Sequence, residues 1–246
     1  MSADIYILNL VTGLVYLIVG IRLFALSRQT RGRPEYFLAL NYLCTGVSYF
    51  LYELPSLLNA DIPWVLIAAR IIYSVGIVPL LLFTRDVFRA GSRWANALVW
   101  TTALVLFCGV FFSTLDGDIE GLIVNSVWFW CDWIGYTAPY TWISAEALIA
   151  YSAARKRQRV GLCKPETSNR FLLWALFGIL AALAGIALIP LYLEFATTQV
   201  WPRWGDYASG GLEAAATVTL WFVFFPPAFY RCWVNRAAAP PSNAAN

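Results

Sequence analysis

Apolar residues fall along this chain in seven long blocks, parted by short polar connections rich in Gly, Pro, Arg or Asp. The blocks run Ile5 to Leu26, Tyr36 to Leu57, Ile62 to Phe83, Trp94 to Phe112, Trp128 to Tyr151, Phe171 to Leu193 and Tyr207 to Tyr230. A helix needs roughly 20 apolar residues to cross a hydrocarbon core. Backbone polar groups find no water there, so helices are the natural form for blocks of this length. The pattern predicts an all-α integral membrane protein: a seven-transmembrane-helix bundle over residues 1–236, followed by a disordered cytoplasmic tail over 237–246 whose "AAAPPSNAAN" cannot build a core.

Composition agrees. The chain is 60% hydrophobic and 13% charged over 246 residues, far from the balance of a soluble domain. The first block is full length and follows only "MSAD", so no cleavable signal peptide is expected. Most Lys and Arg sit in "SRQTRGRPE", around Arg85, Arg89 and Arg93, in "ARKRQRVGLCK", and near Arg231 and Arg236, while the alternate connections hold "DGDIEG" and Arg203. The positive-inside tendency then puts the amino terminus outside and the carboxyl terminus in the cytoplasm.

Missing residues narrow the chemistry. The chain has no histidine, which removes His-ligated haem, zinc sites using His, and Ser–His hydrolases. Its only lysines are Lys156 and Lys164, so the outline is rhodopsin-like but helix seven offers no lysine for a retinal Schiff base. The five cysteines show no CxxC spacing and read as small core residues. No catalytic residue, metal site or cofactor is expected, and the chain is not expected to be an enzyme.

Ionisable residues inside spans are the remaining clues, because charge in lipid is costly. Glu53, Arg70, Asp132, Glu146 and Glu213 qualify. Glu53 and Arg70 lie on consecutive helices joined by "NADIP" and are expected to pair. Asp132, in "SVWFWCDWIGY", has two readings. Either Trp128, Trp130 and Trp133 form an interfacial belt around a solvated aspartate, or Asp132, Tyr136 and Tyr140 form an inward stripe at i, i+4, i+8, with Glu146 returning within about 40° of it. Pro139 is expected to kink that helix.

The second reading predicts a cavity in the outer half with Glu53, Arg70, Asp132, Tyr136, Tyr140 and Glu213 as ligand-binding residues, joined by Tyr49, Tyr73, Asn9, Asn41 and Ser74. Carboxylates and aromatic faces attract cations, so the expected ligand is a small amphipathic or cationic molecule. At the inner end, "RPE" and "KPE" place Pro and Glu where a helix first turn accepts them, which gives Glu35 and Glu166 a structural reading. Glu146 is expected to pair with Arg170 or Arg31. Gly13 and Gly20, like Gly178 and Gly185, mark close helix packing. The repeated Pro-Glu start hints at a 3+1+3 duplication.

The segments "RLFALSRQTRGRPE", "WISAEALIAY" and "VGLCKPETSNRFLLW" resemble stretches of uncharacterised bacterial seven-helix membrane proteins. The resemblance implies the bacterial inner membrane and a shared inner-face network of Arg31, Glu35, Glu146, Asn169 and Arg170, with no activity to carry over. The function expected is that of a receptor-like or sensory protein, with a small-solute or proton-coupled transporter, or a non-catalytic accessory subunit, as alternatives. Expected partners are membrane lipid, a small-molecule ligand and a cytoplasmic protein meeting the basic loop 155–164; nucleic acid is not among them.

Overall fold

The computed structural model describes residues 3–58, 60, 62–119, 123–200 and 202–237. Among these residues it is helical, with no strand. The helices are α1 (Ala3–Thr30), α2 (Arg33–Leu58), α3 (Pro63–Phe88), α4 (Arg93–Leu115), α5 (Val127–Arg159), α6 (Pro165–Thr198), α7 (Arg203–Phe224) and α8 (Ala228–Ala237). Six of the apolar blocks have each become one helix, and the seventh is divided between α7 and α8.

The ends follow local chemistry. Pro63 and Pro165 open α3 and α6 in the first turn, where a missing amide hydrogen costs nothing, and Glu35 and Glu166 complement the positive ends of α2 and α6. The Ser126 hydroxyl caps α5 by accepting from the Trp128 amide at 3.2 Å. Pro226 and Pro227 stop α7, and α8 leaves it at a bend of 79°.

Helices α1, α3, α4 and α6 are long and apolar enough to cross a membrane, and α7 with α8 supplies a fifth such element. These long apolar helices make the chain an integral membrane protein. Helices α2 and α5 do not meet the same standard, because polar side chains dilute the first and the second carries Asp132, Glu146 and a basic final turn. Exposed apolar stripes fit this class: Ile7, Val11, Leu14, Ile18 and Ile21 line the outside of α1, three or four residues apart.

From α1 to α7 each helix packs on the next, α7 closes the bundle against α1, α3 also touches α5, and α8 packs on α6. Small residues set the approach. A Cβ on Gly13 would lie 2.9 Å from the Tyr49 Cβ, and one on Gly109 would lie 2.5 Å from the Asp132 amide nitrogen. Early residues of α1 meet late residues of α2, and early α5 meets late α4, so α1, α3, α5 and α7 all start at one end. The basic connections lie at the other end. Between them Tyr42, Ile77, Leu106, Ile143, Phe177 and Leu220 form a closed apolar core. Apart from Ala237, which ends α8, the expected tail at 237–246 lies outside the described residues.

Candidate functional site

Where α1, α3, α5 and α7 begin, the helices part around an open cavity of about 310 Å³. Helix α2 supplies Ser48, Tyr49, Tyr52 and Glu53, which share one face because 48 and 52, like 49 and 53, are one turn apart. Helix α7 adds Ser209, Gly210 and Glu213, and single residues come from the other walls: Asn9, Tyr73 and Tyr136. Among the described residues the lining thus carries two carboxylates, four phenols and no basic side chain.

Each carboxylate is held by one neutral donor from a neighbouring helix or wall. The Asn9 amide donates to Glu53 Oε1 at 2.7 Å, and the Tyr49 hydroxyl donates to Glu213 Oε2 at 2.8 Å. Among the described residues the second oxygen of each carboxylate has no protein donor, so it is left to whatever fills the cavity. Glu53 is only 6% exposed. Such burial of a carboxylate is costly without compensation.

Behind this cavity sits an ion pair. Arg70 Nε donates to Asp132 Oδ2 at 3.1 Å, its Nη2 bonds the same oxygen, and its Nη1 donates to the Asp118 carbonyl at 2.8 Å. Arg70 and Asp132 are 3% and 6% exposed. The pair is locked in place by a run of hydroxyls: Ser74 donates to the Arg70 carbonyl at 2.7 Å and meets the Tyr136 hydroxyl at 2.9 Å, while Tyr73 and Tyr140 hydroxyls stand 3.3 Å apart. Arg70, Asp132 and Tyr140 therefore stand outside the cavity lining, whereas Glu53, Tyr136 and Glu213 are in it.

Two expectations need correction. Glu53 does not pair with Arg70; the guanidinium turns toward α5, and Asn9 takes the carboxylate instead. Nor is Asp132 a solvated residue in an indole belt, since it points into the bundle while the tryptophans pack elsewhere. Trp128 stacks on Phe112 with ring centres 4.4 Å apart, Trp130 donates to the Val124 carbonyl at 3.0 Å, and Trp133 donates to the Gly185 carbonyl at 2.9 Å.

The inner-end residues separate into three places. Glu146 Oε1 accepts from Arg89 Nε at 2.7 Å and from Trp142 Nε1 at 3.2 Å, so its partner is neither Arg31 nor Arg170. The hydrogen bond and the charge of Glu146 hold the Arg89 guanidinium above its ordinary pKa. Arg31 sits at the α1–α2 turn with a left-handed φ of 54°, and Glu35 lies in the turn that follows. Asn169 donates to the Tyr230 hydroxyl at 2.7 Å, and Arg170 lines the crevice between α6 and α8. Helices at opposite sides of the bundle carry these groups, which is why they do not form one network.

Sequence reasoning passed over Ser48, Tyr52, Ser209 and Arg89. The first two were within reach, since they repeat the Tyr49–Glu53 spacing on the same helix; Arg89 is 57 positions from Glu146 and carries no local signal. No known protein family, no curated protein and no solved structure matches the chain. The likeness to bacterial seven-helix proteins therefore stands on its three short segments alone.

Proposed function

We propose that this chain is a receptor-like seven-helix membrane protein, with α2 and α5 spanning beside the five more apolar elements. It binds a small amphipathic or cationic molecule from the outer side of the bacterial cytoplasmic membrane and signals to a cytoplasmic partner. The observation that carries the reading is the cavity lined by Glu53, Glu213 and four tyrosines, without a basic residue among those described. A lining of that kind attracts cations through both charge and aromatic faces.

Below the cavity, Tyr42 packs edge-on against Phe177 and Phe224, and Trp174 closes on both of those rings. A packed aromatic floor of this kind supports a protein that senses the ligand over an open channel. The walls belong to five helices, so a ligand that draws them together has a direct mechanical route to the basic end, provided that it binds two arrangements of the bundle with different affinity.

Native cysteines report on this. Cys163 lies in the basic α5–α6 loop and Cys232 is exposed on α8. With Cys44, Cys108 and Cys131 replaced by Ala, a bound organic amine is expected to change the thiol-labelling rate at Cys163 or Cys232 severalfold. An amine that binds while both rates stay fixed removes the receptor reading.

A transporter is the second reading, favoured by two buried hydroxyls beneath the cavity, on Tyr42 and Thr45, that have no hydrogen-bond partner among the described residues. Buried polar groups of that kind ordinarily meet water, and waters there would extend the polar path inward. Uptake of the same amine into proteoliposomes, lost in Glu213→Gln, is the result that supports it.

A further inference from the structure

The charge balance of the cavity points to a narrower ligand class, an inference that rests on the proposal that the cavity binds a small molecule. Among the described residues no basic side chain lines the cavity, and Arg70, behind it, donates through all three guanidinium nitrogens to Asp132 and the Asp118 carbonyl. It cannot also neutralise the cavity carboxylates. Glu53 and Glu213 therefore leave the lining with two negative charges when ionised, and each still has an oxygen free to accept.

A ligand with one ammonium group neutralises one of the two. The other carboxylate then loses water as the cavity fills and gains no counter-charge, which is unfavourable for a buried anion. A ligand with two ammonium groups satisfies both. We propose that the cavity takes an aliphatic dication, a diamine or short polyamine, with one ammonium on Glu53 and the other on Glu213.

The remaining lining suits such a molecule. An ammonium carries three donors, so after meeting a carboxylate oxygen it still needs acceptors or an aromatic face. Ser48 and Ser209 supply hydroxyls, and Tyr52, Tyr73 and Tyr136 supply rings that attract a cation. The alkyl linker lies against the same rings. A volume of about 310 Å³ is at the small end of ligand pockets, which fits a short chain better than a large aromatic amine. The Asn9 and Tyr49 donors keep each carboxylate oriented before the ligand arrives, which lowers the ordering cost of binding.

The test is calorimetric titration of the full chain in nanodiscs with 1,4-diaminobutane, 1,5-diaminopentane, the matched monoamines butylamine and pentylamine, and 1,5-pentanediol. At least one diamine is expected to bind ten or more times more tightly than the monoamine of equal length, with no binding of the diol. Glu53→Gln and Glu213→Gln should each bring the diamine down to the affinity of the monoamine. Equal affinity of diamine and monoamine for the wild type overturns the dication while leaving a cation-binding cavity standing, as does a diamine preference that survives both variants. Absence of binding by every amine overturns both this inference and the binding role of the cavity. The wild-type comparison decides even if a variant fails to fold.

Discussion

At the residue scale the strongest feature is the pair Arg70–Asp132, which joins α3 to α5 across 62 positions of sequence. Removing one partner of a buried ion pair leaves the other uncompensated and costs about 3–5 kcal/mol, whereas replacing both with apolar groups of similar size is often neutral. Arg70→Met alone and Asp132→Leu alone are therefore expected to lower the thermal unfolding temperature sharply, and the double variant to recover most of the loss. Thermal unfolding followed by tryptophan fluorescence checks this; a double variant no more stable than either single one would show that the pair is not acting as a unit. Arg70 bonds only Oδ2 of Asp132 among the described contacts, so Asp132→Asn is expected to be milder than Asp132→Leu, since the amide keeps an oxygen for Arg70. The sequence made both residues visible as charges in apolar blocks, but it could not pair them. Pairing between α3 and α5 depends on how the bundle closes, and the short "NADIP" turn drew Arg70 toward Glu53 because nearness along the chain was the only distance in sight.

At the scale of elements, helix existence was written in the apolar blocks and helix ends in their proline, glutamate and serine residues. The spans themselves were less legible. Helix α5 is 33 residues long and continues through Pro139; its polar side chains are buried by neighbours, a compensation invisible in the order of residues. Pro226 and Pro227 stop α7 inside the last apolar block, and nothing in the order of residues announces the helix beyond them. Helix α8 turns Phe229 and Trp233, one turn apart, to the outside, while two hydrogen bonds tie its other face to α6: Asn169 to the Tyr230 hydroxyl at 2.7 Å, and Asn235 to Glu166 at 3.2 Å. The Asn169 tie is the shorter and is part-buried, so Asn169→Leu is expected to speed amide hydrogen exchange over residues 228–235 severalfold while leaving α6 protected. Exchange that stays at the wild-type rate would mean that apolar packing of Val234 alone seats the helix. The glycine contacts carry a matching expectation. Gly109→Val would force a side chain onto the Asp132 backbone, so it should destabilise the bundle by about 1–3 kcal/mol, whereas Gly211→Ala, with open space around it, should not.

For the whole molecule, the deciding quantity is which way the bundle faces. Basic residues of the α1–α2, α3–α4 and α5–α6 connections and of α8 stand at one end, and the cavity lies toward the other, where α1, α3, α5 and α7 begin. Lys and Arg near span ends tend to be retained on the cytoplasmic side, so under the proposed function this asymmetry is expected to orient the cavity outward and to set the side from which a ligand is drawn. Thiol labelling of intact cells by a membrane-impermeant reagent measures it directly. In a chain lacking Cys44, Cys108 and Cys131, the native Cys163 and Cys232 mark the basic end, and Thr197→Cys, at an exposed position late in α6, marks the cavity end. Thr197→Cys is expected to react in intact cells, and Cys163 and Cys232 only after the membrane is permeabilised. The reverse pattern would turn the cavity to the cytoplasm, where amines reach it from metabolism and not from outside. The receptor reading would then fail on direction alone, while the carboxylate pair of Glu53 and Glu213 would keep its preference for a dication, because that preference depends on the charges lining the cavity and not on the face of the membrane that they meet.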